Sequence, residues 1–106
     1  MGEVALPELA RMITGAINHA REDQQRNLLV DITGLTGFEA PSLASRYFYV
    51  EAWARAAHAF VRVAMVAPPR VIDSRKFGVT VAANNNLTAD IFTSADEALA
   101  WLRSLP

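Results

Sequence analysis

The sequence predicts one small α/β domain in which helices and strands alternate, α-β-α-β-α-β-α, around a mainly parallel sheet. Three observations predict it. The runs Leu28-Leu29-Val30-Asp31-Ile32 and Arg62-Val63-Ala64-Met65-Val66-Ala67 are almost continuously apolar, as expected of strands covered on both faces. The segments around them carry apolar residues at helical spacing, and parallel strands can only be joined by such crossovers. Finally, 106 residues suffice for one core and are too few for two ordinary ones, so 1–106 is read as a single domain.

The first helix is predicted over 7–22. Leu9, Ala10, Ile13, Ala16, Ile17 and Ala20 form one stripe, and Pro7 suits a first helical position because its missing N–H would have no partner there. A polar connection, 22–26, leads to the first strand at 28–32. Gly34, Gly37 and Pro41 then mark 33–42 as a loop. A second helix is expected over 41–60 and a second strand over 62–67, stopped by Pro68-Pro69. The segment 73–84 is ambiguous: Asp73 or Ser74 can cap a helix, yet Phe77-Gly78-Val79-Thr80-Val81 also alternates as a strand does. Helix is chosen, because it completes the alternation and Asn84-Asn85-Asn86 suits its end. Ala89-Asp90-Ile91-Phe92 is the third strand. Ser94 and Glu97 form a capping box for the last helix, whose inner face is Ala95, Ala98, Leu99, Leu102 and Leu105.

The composition, 52% hydrophobic and 20% charged, is that of a folded protein, and a net charge of -1 gives no bulk attraction to nucleic acid or anionic lipid. The absence of cysteine removes thiol catalysis and thiolate metal sites, and agrees with a reducing cytoplasm. No apolar run reaches the ~18 residues of a membrane span, and Met1-Gly2-Glu3-Val4 does not begin a signal peptide. Nineteen alanines, and nine arginines against the lone Lys76, suggest a GC-rich bacterial source.

Ligands of open α/β sheets bind beyond the carboxyl ends of the strands, which directs attention to 33–42, 68–74 and 93–94. Asp31 lies near such an end. A phosphoacceptor aspartate would need companion carboxylates for a metal and a Lys at the end of the last strand, where Phe92-Thr93 stands instead. The G-L-T-G of residues 34–37 lacks the spacing of a phosphate-binding loop, and Asn86-Leu87-Thr88 is a glycosylation sequon without meaning in a cytosolic chain. His19 and His58 fall on different helices with no metal-ligand spacing and no activated serine. No catalytic residue, metal or cofactor is expected.

The second helix carries two apolar stripes. Leu43, Tyr47, Val50, Ala54 and Ala57 are assigned to the sheet, and Glu51, Arg55, His58 and Arg62 form a polar face. Tyr49, Trp53, Ala56 and Phe60, flanked by Phe48 and Ala52, form a second stripe a quarter turn or more away. Either neighbouring helices cover that stripe, or it is a surface for a partner or an apolar ligand.

The run from Leu29 through Asp31-Ile32-Thr33-Gly34-Leu35-Thr36-Gly37-Phe38-Glu39-Ala40-Pro41-Ser42 to Leu43 resembles the corresponding unit of STAS domains, the fold of the sporulation anti-sigma factor antagonist, and more closely that of the bacterial SpoIIAA-like proteins. Arg62-Val63-Ala64-Met65-Val66, Ile72-Asp73, Phe77-Gly78, Asp90-Ile91-Phe92 and Glu97-Ala98-Leu99-Ala100-Trp101-Leu102 continue the resemblance. Two departures matter. STAS antagonists carry D-S-S-G with the regulatory phosphate on the second serine, whereas Glu39-Ala40-Pro41-Ser42 occupies those places here, so Pro41 stands at the phosphoacceptor and Ser42 comes one place late, where it can still cap the helix. The family also begins with two strands before the first helix, and only 1–6 precede Pro7, so those strands are expected to be missing or shortened.

The resemblance implies a non-enzymatic regulatory or binding module engaging a protein partner or a small apolar ligand. Its loop residues would be Asp31, Thr33, Thr36, Phe38, Glu39 and Ser42, and Phe48, Tyr49, Ala52, Trp53, Ala56 and Phe60 would form the interface of a homodimer. The alternative, from another class, is a small lipid-binding or lipid-transfer domain, or an enzyme, using a pocket at the strand ends.

Overall fold

The alternation read from the sequence is the order found. The computed structural model describes residues 2–106 as α1 (Leu6–Glu22), β1 (Asn27–Asp31), α2 (Leu43–Ala57), β2 (Arg62–Val66), α3 (Phe77–Asn84), β3 (Ala89–Phe92) and α4 (Ala95–Ser104), with a single 3-10 turn at Pro69–Val71. The sheet is β1-β2-β3, all parallel, with Val30 opposite Met65 and Met65 opposite Ile91.

Side chains of a strand alternate between faces, and here both sets are covered. Leu28, Val30, Val63, Met65, Ala89 and Ile91 lie in the larger core with α1, α2 and α3. Leu29, Ala64, Val66 and Phe92 meet Ala98, Trp101 and Leu102 of α4. Ala64 and Ala98 are fully buried, and their small side chains let α4 approach β2 closely. Phe92 and Trp101 close that side with ring centroids 5.7 Å apart.

The helix ends follow local chemistry. After α1, Gln24 takes a left-handed conformation, φ 60°, with Gln24 N–H donating to Arg21 O and Gln25 N–H to Ala20 O, the paired bonds of a Schellman stop. Asn86, φ 64°, ends α3 in the same way, with Leu87 N–H on Ala82 O. The ambiguous segment is helical from Phe77 to Asn84 only; residues 73–76 form a turn, in which Asp73 Oδ2 accepts from Phe77 N–H at 2.9 Å and Lys76 is left-handed. Ser94 Oγ accepts from Glu97 N–H at 3.2 Å, the first half of the expected capping box.

Two features of α2 depart from the sequence reading. The helix is shorter than 41–60, because Ser42 caps it and His58 and Ala59 both turn left-handed, φ 52° and 56°. Of the stripe assigned to the sheet, Val50, Ala54 and Ala57 are buried, whereas Leu43 and Tyr47 are exposed. Length explains this: α2 spans about 22 Å and β2 about 17 Å, so one end of the helix overhangs the sheet.

The second stripe packs against α1 and the main core, the first of the two alternatives that its position on α2 leaves open. Trp53 Nε1–H donates to Ala10 O of α1 at 3.2 Å, Ala56 is buried, and Trp53 and Phe60 pack against the main core. Arg21 of α1 donates to Ala56 O at 2.8 Å, and Arg26 lies 5.3 Å from the Phe60 ring centroid. Of the expected interface residues, Tyr49 and Ala52 are half-buried and Phe48 alone is exposed.

Gly78 stands in the first turn of α3, where a Cβ would lie 3.5 Å from Val50 Cγ2, an ordinary contact. Gly78→Ala is therefore expected to raise stability by roughly 0.5 to 1 kcal/mol, through lower backbone entropy in the unfolded chain. A higher midpoint in urea denaturation at unchanged slope checks this; a lower midpoint contradicts the packing described.

Candidate functional site

Parallel pairing gathers the carboxyl ends of the strands on one edge of the domain, with the loops 32–42, 67–76 and 93–94 beyond them. Asp31 closes β1. Its Oδ1 accepts from Thr33 Oγ1–H at 2.6 Å and from Thr33 N–H at 2.9 Å. The hydroxyl bond first, and the amide bond second, stabilise the ionised carboxyl and hold its pKa below the ordinary aspartate value against slight desolvation. Asp31 thus shapes the turn out of β1.

The loop that follows is tied down from two sides. Val4 N–H donates to Thr36 O at 2.8 Å and Thr36 N–H to Gly2 O at 3.1 Å, so the segment before α1 lies parallel to the loop, bridged at Glu3 and Thr36. Gly37, φ 91°, makes that approach possible: a Cβ there would stand 3.0 Å from Val4 N. From the other side, Arg70 donates to Phe38 O at 3.1 Å and stacks 5.4 Å from the Phe38 ring centroid. Phe38 itself is only 9% exposed and belongs to the core, which corrects its reading as a partner-binding residue.

Asp31, Thr33, Thr36, Glu39 and Ser42 are on the surface as read from the sequence. Ser42 Oγ accepts from Ser45 N–H at 3.1 Å, an N-cap of the kind that contributes about 1 kcal/mol. The residues missed are Leu43 and Tyr47, 55% and 43% exposed, which with Phe48 at 66% form an apolar patch on the overhanging start of α2. Tyr47 and Phe48 meet edge to face, centroids 5.9 Å apart. A comparison of helix and strand lengths is the sequence signal that points to them.

At the far edge of the sheet, Lys76, in a left-handed conformation before α3, reaches Asp90 Oδ1 at 2.8 Å and lies 5.4 Å from the Phe92 centroid. Asp31 and Asp90 are on the two outer strands, two strand spacings or about 10 Å apart across the sheet and two residues out of register along it, so Lys76 does not serve Asp31 as it would in a phosphoacceptor site. His19 and His58 lie at the carboxyl ends of α1 and α2, which lead into the amino ends of β1 and β2, at the opposite edge of the domain. Among the described residues, no group of three His, Asp or Glu is placed to hold a metal ion, and no helix is long and apolar enough to cross a membrane.

Comparison with known proteins agrees with this arrangement of elements. A family model described as SpoIIAA-like matches residues 1–103. No curated protein and no solved structure matches the chain.

The folded-state pKa of Asp31 lies below its unfolded value, so the stabilisation it brings is complete above about pH 4 and is lost as pH falls through the lowered value. Thr33→Val removes the stronger of the two bonds. The Asp31 carboxyl, followed by carbon-detected NMR titration, is expected to move back toward the ordinary aspartate value in that variant; an unmoved titration contradicts the hydroxyl's role.

Proposed function

The chain belongs to the SpoIIAA-like family, and from that premise we propose a non-enzymatic regulatory module that engages a protein partner through the loop 33–42 and the start of α2. The observation that carries the reading is the patch of Leu43, Tyr47 and Phe48, three large apolar side chains left to water on a small domain beside the exposed Thr36, Glu39 and Ser42. A contiguous apolar patch with a polar border is the usual character of an interaction surface. The loop that borders it is pinned by the bonds to Gly2, Val4 and Arg70, so it presents one shape.

On this reading Pro41 stands where STAS antagonists carry the phosphoacceptor serine and, having no hydroxyl, takes no phosphate there. Ser42 is the neighbouring hydroxyl. Phosphate there would favour the amino end of α2 while setting up to two negative charges beside Leu43, opposing an apolar contact. A homodimer contact, on this reading, also uses Leu43, Tyr47 and Phe48, since Trp53, Ala56 and Phe60 are engaged by α1 and the turn after it. The cysteine-free composition supports a reducing, cytoplasmic setting.

Leu43→Ser combined with Phe48→Ser is expected to weaken partner capture, or self-association by light scattering, at least tenfold. The urea midpoint should stay near that of the wild type, because both residues are exposed. Partner binding retained at full strength in the folded double variant contradicts the proposal.

A further inference from the structure

The sheet face beneath α1, α2 and α3 is incompletely filled. A cavity of about 120 Å³ lies there, with Ile13, Val50, Val63, Met65 and Ile91 among its walls. Protein interiors normally pack as densely as organic crystals, and the lining of an empty space forfeits its dispersion contacts. An apolar void of about 150 Å³ stays dry and takes benzene.

Four polar contacts engage side chains around the cavity, which Tyr49 also lines. Arg46 donates to Val71 O at 2.8 Å, Asp73 accepts from Phe77 N–H at 2.9 Å, Lys76 and Asp90 pair at 2.8 Å, and the Trp53 indole N–H is on Ala10 O. Among the described residues, no buried side-chain polar atom lacks a partner. A charged or strongly polar guest would therefore lose its hydration without replacement. The Lys76 and Asp90 side chains, 43% and 24% exposed, border the cavity, and their ion pair fastens the amino end of the short α3 to β3.

We propose that this cavity binds one small, uncharged, apolar molecule, about the size of a single aromatic ring or a branched chain of about six carbons. Such a group can come as a free molecule or as the end of a lipid acyl chain. The volume favours the free molecule, since a long acyl chain needs several times this space. The site is on the inner side of α2, and it stands whether or not the outer patch binds a partner.

The test uses the full chain, methyl NMR and thermal unfolding, with benzene as the first probe and palmitate and phosphatidylcholine vesicles as separate probes. Benzene is expected to give saturable shifts at the methyl groups of Ile13, Val50, Val63, Met65 and Ile91 and to raise Tm, while palmitate and vesicles leave those methyls unmoved. Val63→Phe, or Ile91→Phe should the first fail to fold, fills the space and is expected to weaken benzene binding at least tenfold. The proposal is overturned by benzene giving no saturable shift in the wild type up to its solubility. It is equally overturned by shifts that persist in a folded, filled variant, or by palmitate or vesicles moving the same methyls in place of benzene.

Discussion

The contact of α1 with the aromatic side of α2 is the interaction on which the rest of this structure depends. Two of the other helices are placed by topology: α2 and α3 are crossovers between parallel strands, and the hand of such crossovers puts both on one face, while α4 is held on the other by Ala98 and Leu102. α1 precedes the first strand and has no such constraint. Its place is fixed by Leu9, Ile13 and Ile17 against the core, and by the bonds from Trp53 to Ala10 O and from Arg21 to Ala56 O. The indole N–H thereby finds an acceptor, so the large ring can be mostly covered without leaving a donor unpaired.

From that contact follow the two features with functional meaning. With α1 seated, Leu9, Ile13 and Ile17 form one wall of the cavity over the sheet. The same helix brings residues 2–4 alongside Thr36 and holds the loop in one shape, with Gly37 permitting the approach. The covered aromatic stripe also leaves the apolar surface of α2 confined to Leu43, Tyr47 and Phe48.

Much of this was legible in the sequence, and the limits of that reading are physical. The stripe of α1, the continuous apolar strands and the Ser94 cap are local signals, fixed by period and spacing alone. In α2, periodicity groups Leu43 and Tyr47 with Val50, Ala54 and Ala57, but phase tells only which way a side chain points, not whether anything lies opposite. Phe38 stands in a glycine-marked loop and reads as surface, yet Arg70, 32 residues away in sequence, helps to hold it inward. The pairing of Lys76 with Asp90 is likewise tertiary, across 14 residues and a helix. The Asn86 stop was readable, because asparagine tolerates the left-handed backbone; Gln24 and Ala59 give no such sign.

Amide hydrogen exchange along α1 in Trp53→Ala, with molecular mass from light scattering beside it, tests the central claim most directly. If Trp53 anchors α1, protection over Leu6–Glu22 falls sharply while the mass matches that of the wild type. Unchanged protection of α1 together with a halved mass would contradict the account, since the indole would then be holding two chains together and not two helices of one.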